Sequence, residues 1–344
     1  MSITWRSPSN LAIVKYWGKH GRQLPRNASI SLTLDNAYSE TKLDYVEKED
    51  MDNISLDFFF EGQPNKAFGD RILKFLNSVA DELPFLYEYH LTIHSSNSFP
   101  HSAGIASSAS SMSALALCLC QMEREVAYTL PAEEMFYQRA SYFARLASGS
   151  ACRSIYPHAA SWGVTKHIAG SSDEFATPFS NELHEVFKTF HDDILIISKD
   201  EKSVSSSAGH QLMEGNAFAP LRYELADKNL GSLLGAMRSG DIETFGVIAE
   251  EEALMLHALM MTSQPSYILM EANSIEAIKR VRAWREATGK PLYFSLDAGP
   301  NLHLLYPTEI VTEVQSFIVS DLQPLCQDGK WIADKVGMGA TLID

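Results

Sequence analysis

The decisive stretch of this chain reads Ser98-Phe99-Pro100-His101-Ser102-Ala103-Gly104-Ile105-Ala106-Ser107-Ser108-Ala109-Ser110-Ser111-Met112. The segment before it, residues 89–94, carries Leu91 and Ile93 in alternation with polar residues, which predicts a strand. The segment after Ser107 is rich in Ala and Leu and is apolar on every face, which predicts a buried helix. A loop of small residues therefore joins a strand to the beginning of a helix.

Two interpretations of this loop are open. Small side chains let an anion approach the backbone, and the free N–H groups and positive dipole end of a helix favour it. The hydroxyls of Ser107 and Ser108 can donate to phosphate or bind a metal ion. An ordinary Ser/Ala linker that caps a core helix fits the same residues equally well. The chain has neither Gly-x-x-x-x-Gly-Lys-Ser/Thr nor Gly-x-Gly-x-x-Gly after a strand, so a nucleotide site here needs another design.

Composition indicates an acidic protein with two domains. The 344 residues are 45% hydrophobic, which is enough for a sizeable core. The formal charge of −15 argues against nucleic acid and acidic membranes as partners, whereas an anionic small molecule fits if the few basic residues converge. No signal-peptide pattern begins the chain and no apolar run approaches about 18 residues, so we expect a cytoplasmic protein.

The four cysteines predict no disulfide framework. Cys118 and Cys120 lie two residues apart on a predicted helix, so their side chains point apart and form no Cys-x-x-Cys pair. Cys152 and Cys326 lie far from them in sequence. We expect reduced thiols in the core of a cytosolic protein.

Two segments of the first half carry candidate anion-binding residues between predicted strands and helices. Lys15-Tyr16-Trp17-Gly18-Lys19 has two ammonium groups flanking aromatic rings, although a solvated lysine pair explains it as simply. Arg153 lies among Ser and Gly in residues 148–154, just past a predicted helix, where a C-terminal glycine cap is the simpler explanation. The predicted strands are 2–6, 30–34, 41–46 and 54–60, and the predicted helices are 67–81 and 131–147.

The second half is predicted to begin near residue 188, after a polar segment. A buried strand over 194–197 leads into a serine-rich turn, and long helical patterns follow. Strands over 292–296 and 302–306 enclose a turn that begins with Asp297. A helix and a last strand over 340–343 complete the order of a split βαβ sandwich. An Asx-turn is the simplest explanation of Asp297 taken alone.

Together these segments resemble the mevalonate diphosphate decarboxylases of the GHMP kinase superfamily. The matching strings are Asn10-Leu11-Ala12 with Lys15-Tyr16-Trp17-Gly18-Lys19; Asn27-Ala28-Ser29-Ile30-Ser31-Leu32-Thr33-Leu34; Phe99-Pro100 with Gly104-Ile105-Ala106-Ser107-Ser108-Ala109; Ser148-Gly149-Ser150-Ala151-Cys152-Arg153-Ser154; Val204-Ser205-Ser206; and Asp297-Ala298-Gly299-Pro300-Asn301. The Ser-Ser-Ala loop is shared across the superfamily, whereas the Lys-Tyr-Trp, Cys-Arg-Ser and Asp-Ala-Gly-Pro strings are specific to the decarboxylase branch.

The resemblance implies a two-domain α+β fold. It comprises an ATP-binding domain of the ribosomal protein S5 domain 2-like type over residues 1–187 and a ferredoxin-like split βαβ domain over 188–344. The implied reaction uses ATP and Mg²⁺ to convert mevalonate 5-diphosphate into isopentenyl diphosphate, CO2, ADP and phosphate, through phosphorylation of the 3-hydroxyl. Relatives imply a homodimer. The alternatives are a related enzyme that acts on mevalonate 5-phosphate or mevalonate, one that phosphorylates without decarboxylating, and a non-catalytic ligand sensor on the same fold.

The resemblance also implies the residue roles. Asp297 orients or deprotonates the substrate hydroxyl, Lys15 keeps that aspartate ionised, and Arg153 holds the substrate carboxylate. The implied substrate-binding residues are Tyr16, Trp17, Lys19, Ser148, Ser150, Arg153, Ser205 and Ser206. The implied ATP-binding residues are Gly104, Ala106, Ser107 and Ser108, with Ser107 also as the metal ligand.

Four residues depart from the family pattern near the nucleotide loop. They are His101, Ser110, Ser111 and His210. None of them occupies the Asp, Arg or Lys positions, so the departures bear on the nucleotide rather than on the reacting groups.

Overall fold

The computed structural model of the chain describes residues 1–99, 107–200 and 203–343. The strands are β1 (Ser2–Val14), β2 (Lys19–His20), β3 (Leu24–Pro25), β4 (Ser29–Glu47), β5 (Ser55–Phe60), β6 (Gln63–Pro64), β7 (Tyr89–Asn97), β8 (Ala159–Trp162), β9 (Thr177–Pro178), β10 (His191–Leu195), β11 (Tyr293–Leu296), β12 (Leu302–Tyr306), β13 (Trp331–Ile332) and β14 (Thr341–Leu342). The α-helices are α1 (Lys66–Val79), α2 (Ser107–Val126), α3 (Glu133–Ser148), α4 (Glu185–Lys188), α5 (Ser206–Gln211), α6 (Ala219–Ser239), α7 (Ile242–Met261), α8 (Ala272–Thr288) and α9 (Val311–Phe317).

The first sheet carries the predicted strand–loop–helix unit. Its described strands follow the order β14-β1-β4-β7-β5-β6, with β8 beside the first part of β4 and β9 beside β8. The strand expected before the loop is β7 and the helix expected after it is α2, which packs on β1, β4 and α3. The residues of α2 from Ala114 to Cys120 are all buried, because neighbouring elements cover every face of that segment.

One expectation for this sheet is wrong. Residues 30–34 and 41–46 were expected to form two strands, whereas the structure has the single strand β4. Asp35 and Asn36 are exposed polar residues that lie between the two predicted strands. They interrupt the apolar alternation of the sequence, but the strand continues through them. The backbone N–H groups of Asp35 and Asn36 donate to the Asp334 carboxylate at 3.0 and 2.7 Å.

The second sheet has the expected split βαβ order, but its last strand is β13 and not the strand predicted over 340–343. Its described strands are entirely antiparallel in the order β11-β12-β10-β13. Helices follow β10 and again β12, so the chain order is strand, helices, two strands, helix, strand. The core beneath it contains Leu292, Phe294, Leu302 and Leu304 packed with Ala277 and Val281 of α8.

The two halves share apolar packing. One buried cluster combines Leu11 and Ile13 of β1 with Leu230 of α6 and Phe245 of α7. The strand predicted over 340–343 is β14, but it belongs to the first sheet, where it pairs with β1 through Trp5 and Leu342, and not to the βαβ sandwich of the second half. Relative movement of the halves would expose this cluster, so we expect them to behave as one packed unit around the space between them. The boundary between residues 187 and 188 stays a prediction.

The cysteines are buried thiols, as expected. Cys118, Cys120, Cys152 and Cys326 are all buried and free. Burial raises the pKa of the Cys118 and Cys152 thiols to about 12, so neither forms a thiolate at neutral pH. Among the described helices, none combines the length and the apolar character needed to cross a bilayer.

Candidate active site

Two strand ends bring one lysine against one aspartate. Lys15 follows directly on β1, and Asp297 follows directly on β11. The Lys15 Nζ atom donates to Oδ1 of Asp297 at 2.8 Å, although 282 positions separate the residues in sequence. Lys15 is 1% exposed, whereas the Asp297 side chain keeps 25% of its surface exposed. The ammonium is therefore enclosed by protein while the carboxylate remains accessible.

The turn after Asp297 is closed by the backbone. The Gly299 N–H donates to the Asp297 carbonyl at 2.8 Å, and the His257 ring nitrogen Nε2 lies 3.1 Å from the same carbonyl. These contacts fix the main chain of the aspartate. Its carboxylate can then face Lys15 without being needed for the turn.

A buried ion pair holds the backbone of Lys15. Arg222 of α6 and Glu252 of α7 approach to 2.6 Å, and both side chains are almost fully buried. Glu252 accepts from the Lys15 N–H at 2.8 Å, and Arg222 donates to the Lys15 carbonyl at 3.0 Å. The main chain of Lys15 is thus anchored from both of its polar groups by helices of the second half.

Arg153 is buried in the first half among polar side chains. It lies in the 3₁₀ helix Gly149–Ile155 and is 2% exposed. Its Nε atom donates to Ser31 Oγ at 3.0 Å, and Nη1 donates to Ser29 Oγ. Ser29 and Ser31 belong to β4, so the strand and the 3₁₀ helix set the direction of the guanidinium plane together.

Arg153 and Asp297 act on each other electrostatically. Burial lowers the pKa of Arg153, while Cys152, Asp297 and Tyr16 act in the opposite direction. The Asp297 charge is therefore close enough to favour the charged guanidinium. The structure thus brings the aspartate to the lysine and within electrostatic reach of the arginine, while the roles of the three residues stay predictions.

A row of aromatic rings in successive contact links Arg153 to His210. The Arg153 guanidinium carbon lies 6.0 Å from the Trp162 ring centroid, the Trp162 ring lies 4.7 Å from that of Tyr16, and Tyr16 lies 4.4 Å from His210. Burial raises the pKa of Tyr16, so the phenol is a neutral hydrogen-bonding group at neutral pH.

Two residues lie elsewhere than expected. Trp17 is buried in an apolar cluster and stacks on His210 at 4.5 Å, and it is not part of the described cleft wall. His210, which was expected to flank the nucleotide loop, lies between the rings of Tyr16 and Trp17 and lines the same cleft as Ser107 and Ser108. Burial separates Trp17 from the cleft because its large ring covers the apolar surface of the second half.

A cleft of about 620 Å³ lies beside the reacting groups. Its polar wall includes Tyr16, Lys19, His210 and the six predicted site serines, which are Ser107, Ser108, Ser148, Ser150, Ser205 and Ser206. Its apolar wall is formed by side chains of β5, α1, β7 and α2, namely Phe58, Phe60, Phe68, Ile72, Phe75, Ile93, Met112 and Leu115. Lys15 directly precedes Tyr16 of this wall, and Arg153 lies in the 3₁₀ helix whose first two residues, Gly149 and Ser150, line the cleft. A space of this size with one polar and one apolar wall suits a nucleotide and a small anion.

The predicted serines fall into two groups around the cleft. Ser107 begins α2, and Ser148 donates to Ser108 Oγ at 3.3 Å across the gap between α3 and α2. Ser205 caps α5 by accepting from the Ala208 N–H at 3.2 Å, and Ser206 begins that helix. The first group belongs to the first half and the second group to the second half.

Some predicted residues lie outside the described part. They are Gly104, Ala106 and His101, which fall within residues 100–106. The Ser110 hydroxyl bonds to Ser39 Oγ at 2.7 Å inside the protein, whereas Ser111 lines the cleft. Of these two departures, only Ser111 can touch a nucleotide.

Arg222, Glu252 and Trp162 are site residues that sequence reasoning missed. Arg222 and Glu252 lie in helical patterns without any local motif, and 30 positions separate them. An oppositely charged pair at that separation carries no periodic signal, so only the packing of α6 on α7 reveals it. Trp162 ends β8, after the Cys-Arg-Ser string in sequence, and follows the small residues Ala159, Ala160 and Ser161, which gave no chemical hint.

The donors fit Mg²⁺ that arrives with phosphate. No group of three or more His, Cys, Asp or Glu that could hold a metal exists within residues 1–99, 107–200 and 203–343. The Ser107 and Ser108 hydroxyls lie at the beginning of α2, where phosphate oxygens can complete a hard oxygen shell. The residues thus suit an ion bound mainly by its nucleotide.

Comparison with known families covers almost the whole chain. A profile for the diphosphomevalonate decarboxylase-like N-terminal domain matches residues 7–176. A profile for the mevalonate 5-diphosphate decarboxylase C-terminal domain matches residues 193–338. The two matches contain the lysine, the arginine and the aspartate of the site.

Individual relatives agree with the profiles. Diphosphomevalonate decarboxylase of Eremothecium gossypii is 28% identical over 327 residues, covering 91% of this chain and 79% of its own. The crystal structure of mevalonate diphosphate decarboxylase from Staphylococcus aureus is 28% identical with a TM-score of 0.83, covering 100% of this chain and 98% of its own. A structure described as MDDEF in complex with MVAPP, AMPPCP and magnesium is 29% identical with a TM-score of 0.82, covering 100% and 99%. The chain therefore belongs to the mevalonate diphosphate decarboxylase family.

Proposed function

We propose that the chain uses ATP to convert mevalonate 5-diphosphate into isopentenyl diphosphate, CO2, ADP and phosphate. The observation that carries this proposal is the 2.8 Å contact of Lys15 with Asp297 beside Arg153 and the cleft. It brings a base, a cation for the transferring phosphoryl group and a cation for a carboxylate to one place. Its neighbours supply polar hydroxyls for phosphates.

Asp297 is the group proposed to take the proton of the 3-hydroxyl. Its accessible carboxylate can reach a bound hydroxyl, and Lys15 beside it favours the ionised form. The hydroxyl oxygen then attacks the γ-phosphorus of ATP, the bond to the β-phosphate oxygen breaks, and ADP leaves. General base assistance of this kind contributes about 10²–10⁴ in rate.

Arg153 is proposed to hold the carboxylate that departs. In the second step the C3–O bond breaks and phosphate leaves with its electron pair. The bond between the carboxylate carbon and C2 breaks, its electrons form the C2=C3 double bond, and CO2 is released. The buried guanidinium forms an ion pair with the anionic carboxylate. CO2 is neutral and cannot form that ion pair, so the product can depart.

ATP is proposed to bind along the α2 side of the cleft. The apolar wall offers contacts for the base, and Ser107 and Ser108 at the N-terminus of α2 lie where phosphates are favoured. Mg²⁺ bound with the nucleotide reduces the repulsion between anionic reactants. Ser107 is the proposed protein ligand, while Ser205 and Ser206 close the cleft from the second half.

Three assays in parallel separate this function from its alternatives. ADP release and CO2 release are measured with mevalonate 5-diphosphate, mevalonate 5-phosphate and mevalonate. Equal amounts of ADP and CO2 with the diphosphate support the proposal. ADP without CO2 identifies a kinase, and neither product identifies a ligand sensor. The homodimer and the cytoplasmic location stay predictions.

Asp297→Asn tests the reacting carboxylate most sharply. Asn keeps an oxygen that can accept from Lys15 but cannot take a proton, so we expect turnover to fall by about 10²–10⁴-fold. Binding of a non-hydrolysable ATP analogue, measured by calorimetry, should change little. Asp70→Asn is the matched control, because Asp70 forms an exposed ion pair with Lys66 at the same 2.8 Å. Near-normal turnover of Asp297→Asn would refute the assignment.

A further inference from the structure

His210 is held in one orientation at the edge of the cleft. Its ring lies between those of Tyr16 and Trp17, at 4.4 and 4.5 Å. Its Nδ1 atom accepts from the Gly18 N–H at 2.9 Å. Because Nδ1 accepts, the proton of the neutral imidazole lies on Nε2. The backbone at Gly18 therefore decides the tautomer.

The imidazole is uncharged and its Nε2 is accessible. Burial lowers the pKa of His210 to about 3, and the charge of Lys19 acts in the same direction. The ring belongs to the cleft wall, and within residues 1–99, 107–200 and 203–343 its Nε2 atom is not buried and makes no hydrogen bond. It is thus a neutral N–H donor beside an ammonium group.

Two aromatic rings, those of Trp162 and Tyr16, connect His210 to Arg153. Arg153, which is proposed to hold the substrate carboxylate, lies against Trp162 at one end of the row. His210 lies two ring spacings further along, at 4.7 Å from Trp162 to Tyr16 and 4.4 Å from Tyr16 to His210. A substrate whose carboxylate is bound at Arg153 has its phosphate end elsewhere in the cleft, whose polar wall includes Lys19 and His210.

A second cavity opens at the same residues. It has a volume of about 360 Å³ and shares Lys19 and His210 with the cleft. Arg26 and Tyr223 also line it. The phosphate end of the substrate therefore has space beyond His210, next to a second basic side chain. We expect a diphosphate to use that space and a monophosphate to end before it.

We propose that His210 is a specificity-determining residue that, together with Lys19, binds the terminal phosphate of the substrate diphosphate where the two cavities meet. The proposal rests on the function proposed above and identifies the terminal phosphate as the part of the substrate that determines specificity. A neutral N–H donor adds a directed hydrogen bond to phosphate, while Lys19 supplies the charge. The other explanation of His210 is a stacking role alone.

The test compares two variants and two ligands. His210→Phe keeps an aromatic ring without a donor, and His210→Gln keeps a side-chain N–H. For mevalonate 5-diphosphate we expect His210→Phe to raise Kd and KM about tenfold at nearly unchanged kcat, and His210→Gln to stay within about threefold of the wild type. For mevalonate 5-phosphate we expect both variants to bind as the wild type does. Calorimetry gives each Kd independently of turnover.

His94→Phe is the matched control, because His94 also stacks on an aromatic ring, at 4.7 Å from Phe59, but is exposed and lies outside the cleft wall. Equal losses for both ligands, or none, would overturn the proposal. So would an imidazole ¹⁵N spectrum with the proton on Nδ1. A wild-type protein that releases no CO2 would refute the proposed function instead, and the calorimetric comparison would still judge His210.

Discussion

Two polar clusters join the halves of this protein, and they differ in exposure. One is the Lys15–Asp297 pair, where the aspartate side chain is 25% exposed. The other contains Asp192, Asp193 and Asp334, all of which are at most 2% exposed. Both clusters connect the second sheet to the first half. The two clusters therefore differ more in the solvent exposure of their carboxylates than in charge or location.

The closed cluster uses its carboxylates to bind the protein itself. Asp334 accepts from the backbone N–H groups of Asp35, Asn36 and Ala37 at 2.7 to 3.0 Å. Asp193 accepts from the Asp334 N–H at 3.1 Å and from the Tyr306 hydroxyl. In the closed cluster, main-chain and side-chain donors occupy most of the positions at which the carboxylate oxygens can accept hydrogen bonds. The comparison predicts that changes in the open cluster alter activity, and that changes in the closed cluster alter stability.

The largest expected effect after the loss at Asp297 is that of Arg153→Lys. The planar guanidinium donates to Ser29 and Ser31 and is proposed to bind the substrate carboxylate at the same time. A lysine ammonium group cannot make all of these contacts, so we expect kcat to fall about 100-fold. Steady-state CO2 release measures the effect, and the melting temperature should stay within a few degrees. Arg238→Lys is the control, since Arg238 forms an exposed pair with Glu182. If both variants behave alike, the planar fork of Arg153 is not used in the reaction.

Asp334→Asn is expected to have the opposite signature. One of its two acceptor oxygens becomes an NH2 group, which faces an N–H such as that of Ala37 and leaves it unsatisfied in a buried place. We expect the free energy of unfolding to fall by about 3 kcal/mol. Denaturant titration measures it, and kcat of the folded fraction should remain within about twofold of the wild type. A large loss of kcat without loss of stability would remove the distinction between the clusters.

Asp193→Asn is expected to have the smallest effect, which is a change in how the free energy of unfolding depends on pH. Burial raises the pKa of Asp193 to about 7, with Asp192 and Asp334 acting in the same direction. Between the usual aspartate pKa of 3.8 and about pH 7 the folded state therefore holds a proton that the unfolded state has lost, so the contribution of Asp193 to stability is largest at low pH and is lost as pH rises through about 7.

The expected result for Asp193→Asn is a flatter pH profile. The loss of unfolding free energy between pH 5 and pH 8 should be smaller than in the wild type by about 2 kcal/mol. Part of the slope should persist, because burial also raises the pKa of Asp334, to about 6. Denaturant titrations at the two pH values check this. An unchanged slope would mean that Asp193 does not titrate in this range.

Much of the fold could be predicted from local pattern. The alternation in 89–94 became β7, the apolar run after Ser107 became α2, and the strand over 302–306 was placed with its bounds. Periods of two and of 3.6 residues arise from the backbone geometry of one segment, so they can be read without knowing the partner. The interruption at Asp35 and Asn36 misled the prediction of β4, because Asp334, far away in sequence, supplies the partner of those amides.

The sequence by itself determined which chemical groups this protein carries: an aspartate in a turn between strands, an arginine among serines, and lysines beside aromatic rings. Only the tertiary structure decided that Lys15 meets Asp297, that Arg222 and Glu252 anchor Lys15, and that His210 rather than Trp17 lines the cleft. The physical reason is range. Strand and helix patterns depend on neighbours within a few residues, whereas an ion pair across 282 positions depends on how two sheets and their helices pack.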